Sequence, residues 1–323
     1  MSALAAAIDQ HDLRSRRDQR ADRGFGTLLA LAAFFVLIAL AGAALSMLWG
    51  GREVLAEQGI GFFFSTEWNP VENRYGALVP IYGTLVTALI AMLIAVPVSF
   101  GIALYLTEVA PPRLRGPIGS AIELLAGIPS IIYGMWGLYV LVPVMTDYGT
   151  PWLNEHLGEL PLIGRFFQGP PLGIGMLTAG LVLAIMVIPF IAAVMRDVFL
   201  TVPNRLKESA YALGATRWEV VWNIALPYTR SAVIGGIFLG LGRALGETMA
   251  VAYVVGNSVR FSASLLEPGT TIAALIANDF AEATDTYRSA LLLLGFVLFI
   301  VTFVVLAIAR LMLMRLSQRE GAP

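Results

Sequence analysis

The chain has 323 residues, 58% of them hydrophobic and 13% charged, with a formal net charge of −1. Mean hydropathy is +0.77, and a soluble domain of this length cannot hide so much apolar surface in its own core, so the solvent is lipid. Cysteine is absent, which excludes disulfides, zinc–thiolate sites and thiol catalysis, and the only histidines are His11, in the polar N-terminal tail, and His156, in a polar loop.

Residues 1–26 form a charged tail carrying Arg14, Arg16, Arg17, Arg20 and Arg23, read as an orientation signal. The apolar run at 27–49 follows; it is too long, and preceded by too much polar chain, to be a signal peptide. Crossing the hydrocarbon core takes about 20 apolar residues. Further segments that meet this need lie at 78–106, 119–146, 173–195, 231–256 and 287–310. Those that are longer can tilt, or kink at Pro97 or Pro129. Residues 311–323 close the chain as a second tail. No internal repeat of fixed period is evident. The expected fold class is all-α: a polytopic membrane protein of six transmembrane helices, with the six-span domain at 27–310.

Arginine placement sets the orientation. Besides the N-terminal tail, Arg113 and Arg115 occupy the second-to-third connection. Arg196, Arg205, Lys207, Arg217 and Arg230 occupy the fourth-to-fifth, and Arg310, Arg315 and Arg319 mark the C-terminus. On the other side Arg52, Arg74, Arg165, Arg260 and Arg288 are outnumbered by acids such as Glu53, Glu67, Glu72, Glu155, Asp279 and Asp285. Alternate connections are basic, so both termini are expected in the cytoplasm.

The loop at 196–230 has too much pattern for a passive linker. Pro203 and Asn204 can start a helix over 205–213, which Gly214 stops at positive φ. Thr216 and Glu219 have the spacing of a capping box. A second helix therefore starts there, carrying Trp218, Val221, Trp222 and Ile224 towards Leu226-Pro227 and the fifth span. The only lysine, Lys207, lies outside any G-x-x-x-x-G-K-[ST] loop, so this chain does not cradle ATP phosphates in that manner. If the chain does work driven by ATP, another chain binds ATP and magnesium and supplies the hydrolysis, and no cofactor is expected here.

Arg243 falls near the middle of the fifth span. Burying its charge costs about 2.5–3.5 kcal/mol on insertion scales, so it should face a partner or a wet cavity. Glu247, four residues on, is expected on the same helical face. One possibility is an intrahelical salt bridge. The other is a substrate pathway in which the guanidinium fork meets a tetrahedral oxyanion. Glu247 would then hold the arginine, or accept a hydrogen bond from a protonated oxygen, which favours phosphate over sulfate. Gly236, Gly240, Gly242 and Gly246 repeat a small-x-x-x-small spacing and are read as helix packing. Glu123 is read as an interfacial acid at the N-terminus of the third span. Ser130 and Tyr133, after Pro129, are possible pathway-lining hydroxyls.

The run Glu208-Ser209-Ala210, then Gly214 after three residues, then Ile224, Leu226 and Pro227 after nine more, resembles the EAA signature of ABC importer permeases. Ser209 stands where alanine is usual. Further stretches are similar to the first permease subunit of the phosphate-specific importer family. They are Glu67-Trp68-Asn69-Pro70, Tyr75-Gly76-Ala77-Leu78, Ile81-Tyr82-Gly83-Thr84-Leu85, Gly127-Ile128-Pro129-Ser130 and Gly242-Arg243-Ala244-Leu245-Gly246-Glu247-Thr248. The resemblance implies a type I ABC importer permease fold, with the EAA helix seated on a nucleotide-binding subunit. It also implies roles for Arg243 and Glu247 in transport, a second permease subunit, an ATPase dimer and a periplasmic phosphate-binding protein. Membrane lipid surrounds the spans, and nucleic acid is not an expected partner. The rival expectations are import of another oxyanion, such as sulfate or molybdate, and an ion-coupled secondary transporter.

Overall fold

A computed structural model describes the backbone of residues 2–318 and the side chains of residues 22–314. His11, the tail arginines before Arg23, and Arg315 and Arg319 lie outside the described side chains. The chain divides into two units, Met1–Gly50 and Gly51–Pro323.

The first unit is a single helix, α1 (Ser2–Gly50). Its segment Asp22–Gly50 is apolar enough to cross a membrane, and it shows Phe25, Phe34 and Phe35 to the surroundings. The polar stretch before residue 27 continues the same helix, so the boundary at 26 is chemical and not a break in the backbone.

The second unit begins with two short helices, α2 (Arg52–Gln58) and α3 (Gly61–Phe64). A turn follows, closed by an isolated antiparallel bridge between Asn69 and Arg74. The next span is α4 (Leu78–Leu104), extended through a π-type turn at Tyr105–Val109, and Pro97 is accommodated inside it. After α5 (Pro112–Ala126) the chain breaks at 127–129 and restarts as α6 (Ser130–Trp136). Two π-type turns, Gly137–Leu141 and Met145–Gly149, join α6 to α7 (Val142–Val144) and α8 (Thr150–His156). The fourth span is α9 (Met176–Leu200). Then come α10 (Asn204–Ala212), α11 (Arg217–Val220), a π-type turn at Val221–Ala225 and α12 (Leu226–Leu245). The short α13 (Met249–Ala252), α14 (Ile272–Asp279) and α15 (Asp285–Gln318) complete the chain. Among the described residues six helices are long and apolar enough to span a membrane, and there is no strand.

Three expectations shift. The third span runs Ser130–His156, not 119–146, because Ile128-Pro129 disfavours helix at the residue before proline and splits off α5. His156 therefore ends a helix, stacked on Trp152. The fourth span reaches Leu200, so Arg196 belongs to α9 and not to the loop. The fifth starts at Arg217 and stops at Leu245, well short of 256.

The core is the α4–α9 seam. Alanines 88, 91 and 95 on α4 are buried, as are Val182, Leu183, Met186 and Val187 on α9. Small residues let the two backbones approach, which is how helices associate where lipid supplies no hydrophobic drive. Gly180 shows the fit: a methyl there would come within 2.6 Å of Ile90. The Ser99 hydroxyl donates to the Ile188 carbonyl at 3.0 Å, tying α4 to α9. On the other side of α9, a methyl at Gly240 of α12 would lie 2.5 Å from Ile191, and one at Gly236 2.9 Å from Val194. Gly242 and Gly246 have no such close neighbour. The first glycine pair packs helices; the second does not.

Candidate anion pathway and coupling knob

Arg243 lies in the last turn of α12, half-buried. Its guanidinium carbon sits 5.1 Å from the centroid of the half-buried Phe190 ring on α9, a cation–π contact that gains strength where water is scarce. No ion pair joins it to Glu247. The expected shared helical face fails for a local reason. Gly246 ends α12, so Glu247 is past the last helical residue and the four-residue spacing no longer applies.

Glu247 does something else. Its Oε1 accepts from the Ala250 backbone N–H at 3.2 Å, satisfying one of the orphan donors in the first turn of α13. A carboxylate has further acceptor positions after that bond. The glycine break thus sets an arginine and a carboxylate beside each other in sequence, both half-buried, without letting them neutralise one another.

The helix carrying Ser130 and Tyr133 is brought to the same place. A methyl at Gly134 would come within 3.0 Å of Met249 O and Ala250 Cα, so α6 lies directly on α13. Tyr133 is within electrostatic reach of Arg243. Its hydroxyl donates to Leu125 O at 2.9 Å, tying α6 back to α5 across the break. Ser130 is half-buried in the first turn of α6.

Glu123 is not an acid at a helix N-terminus. It lies towards the end of α5 and pairs at 2.5 Å with Arg196, which also holds Asp197 at 2.9 Å. Sequence reasoning placed one in a span and the other in a loop. Nothing local signals a pair 73 residues apart.

The knob forms much as its pattern requires. Gly214 adopts φ +89° after α10, a conformation that costs other L residues. The capping box is complete: Glu219 N–H donates to Thr216 Oγ1 at 3.3 Å, and Thr216 N–H to Glu219 Oε2 at 2.8 Å. Glu208 and Ser209 are exposed and Ala210 is half-buried on α10, while Leu213 at the turn is 90% exposed. Ile224 and Leu226 are half-buried, and Pro227 sits in the first turn of α12. The second helix therefore runs unbroken into the fifth span, with Trp222 against Phe100 of α4. One contact was not foreseen: Lys207 pairs with Glu108 at 2.5 Å, and both side chains are largely buried.

Fold and site together define a membrane-embedded transport subunit whose exposed knob leads directly into the helix that carries a half-buried arginine. The chain belongs to the binding-protein-dependent transport system inner membrane components, whose family model matches residues 98–318. It is 79% identical over 308 residues to the phosphate transport system permease protein PstC of Xylella fastidiosa (strain 9a5c), covering 95% of each chain. It is 56% identical to the protein of that name from Pasteurella multocida (strain Pm70), covering 90% of each. Among solved structures, a bacterial alginate ABC transporter in complex with an alginate pentasaccharide-bound periplasmic protein is similar, with a TM-score of 0.60 and 17% identity. That match covers 93% of this chain and 97% of the other. The likeness shows a shared ABC permease fold.

Proposed function

We propose that this chain is the permease subunit of an ATP-driven importer of inorganic phosphate. It would form the translocation pathway with a second permease subunit. The observation that carries this is the Arg243 guanidinium, half-buried, stacked on Phe190 and without an acidic partner among the described residues. A cation in that setting calls for an anion. The 79% identical relative, named a phosphate transport permease, gives the anion its identity. Glu247 supports the same choice, because a carboxylate accepts a hydrogen bond from a protonated phosphate oxygen and repels an anion with no proton to donate.

Energy would come from outside the chain. An ATPase dimer, binding ATP and magnesium, would dock on α10 and the Gly214 turn around Glu208, Ser209, Ala210 and Gly214. Ile224, Leu226 and Pro227 would carry its closure into α12. A periplasmic phosphate-binding protein would deliver substrate to the acidic side, with both termini in the cytoplasm of a bacterial inner membrane. Ser130 and Tyr133 would line the pathway opposite Arg243.

The decisive experiment is uptake of labelled phosphate in cells whose chromosomal copy carries Arg243→Ala. Uptake at the wild-type rate would remove Arg243 from the pathway. Wild-type uptake that excess sulfate or molybdate competes away would instead name another oxyanion as substrate. Co-purification of an ATPase that depends on Glu208 and Gly214 separates this mechanism from an ion-coupled transporter.

A further inference from the structure

The sole lysine is spent on a contact within the chain. Lys207 Nζ lies 2.5 Å from Glu108 Oε1, with the two side chains 13% and 7% exposed. Glu108 belongs to the π-type turn that ends α4, and Lys207 to the middle of α10. The backbone of α10 otherwise packs chiefly on α11 and the turn at Val221–Ala225. The ion pair is therefore a side-chain link from α10 to the turn that ends α4. Beside it opens a pocket of 480 Å³ lined by Thr107, Glu108, Arg115, Lys207, Glu208 and Arg217.

We propose that the Lys207–Glu108 pair is a rigid tie that makes α4 and α9 move together with α12 when α10 is displaced. The inference rests on α10 being the docking helix. Two routes lead from α10 to Arg243. One is covalent, through α11 and its π-type turn into α12. The other runs through Lys207 to Glu108, along α4, and across the Ser99–Ile188 hydrogen bond to α9, which carries Phe190. With only the first route, a pull on α10 is opposed by the α12–α9 contacts around Gly236 and Gly240 alone, and α12 shifts more readily against α9, drawing Arg243 off the Phe190 ring. With both, the guanidinium and its aromatic seat travel as one body. A largely buried charge pair suits that task, because separating it leaves each charge desolvated and unpaired, so the contact resists stretching. Lys207 and Glu108 act as positioning residues, since neither touches the anion.

The test uses the whole importer, reconstituted with its ATPase and binding protein in liposomes, and compares Glu108→Gln, Lys207→Gln and the exchange E108K/K207E. Because each single change leaves the other charge unpaired, phosphate imported per ATP hydrolysed is expected to fall about tenfold, with the ATPase still co-purifying. The exchange should restore much of the ratio. The chain lacks cysteine, so E108C/K207C joined by a short bis-methanethiosulfonate linker gives a covalent tie, and uptake should survive it. A wild-type ratio in Glu108→Gln, or arrest of uptake by the linker, overturns the tie. Loss of ATPase binding in the single variants overturns it too, because the pair would then serve docking. Failure of the docking assumption is visible separately, as an ATPase that stays bound when Glu208 and Gly214 are replaced.

Discussion

Arg243 rests on the ring of Phe190, 5.1 Å from guanidinium carbon to centroid, and makes no ion pair with Glu247 four residues on. The helix stop at Gly246 is the cause. It rules out the self-neutralising pair, one of the two arrangements open to the sequence, and leaves two separate groups, a cation with no acidic partner among the described residues and a carboxylate that caps the next helix. That separation matters for transport, since an arginine already neutralised by its own helix would have little to offer an anion.

Replacing Arg243 by alanine removes charge-assisted hydrogen bonds worth about 1.5–3 kcal/mol, so labelled phosphate uptake should drop about ten- to hundredfold. Arg243→Lys keeps the charge but loses the planar fork and should fall in between. Equal uptake for the lysine and alanine variants would mean that charge contributes nothing.

Glu247→Gln tests the carboxylate without removing the cap, since a glutamine carbonyl still accepts from Ala250 N–H. The complex should assemble normally, yet sulfate should compete better against labelled phosphate, because the repulsion of an unprotonated anion is gone. Unchanged competition would confine Glu247 to capping α13.

Gly214 has open space where a side chain would point, so a substitution there acts through the backbone alone. Alanine at φ +89° costs about 1–2 kcal/mol, and co-purification of the ATPase should weaken. Gly214→Asn should be tolerated better, since asparagine visits that region more readily. Equal binding by both variants would show that the turn geometry is irrelevant to docking.

The two glycine pairs of α12 should respond differently. Gly240→Val forces a side chain into Ile191 and should destabilise the purified subunit by about 1–3 kcal/mol. Gly242→Ala, whose nearest neighbour would be Leu306 at 3.6 Å, should leave thermal unfolding in detergent almost unchanged. A larger loss at Gly242 than at Gly240 would contradict the α9–α12 packing described above.

By itself the sequence determined what depends on composition and on neighbours within a few residues. Long apolar runs specified six spans, because lipid demands internally satisfied backbone over the membrane thickness. The Thr216–Glu219 cap and the Gly214 stop were legible because both are short-range hydrogen-bonding or dihedral requirements. Helix ends inside apolar stretches were not. Pro129 and Gly246 interrupt runs whose hydropathy continues on either side, so the third span began later and the fifth ended sooner than the apolar runs indicated. Tertiary structure alone decided the partners of the charged groups. Glu108 with Lys207, Glu123 with Arg196, and Arg243 on Phe190 join residues far apart in the chain, and no local pattern encodes a meeting that only the packing of α4, α5, α9, α10 and α12 brings about.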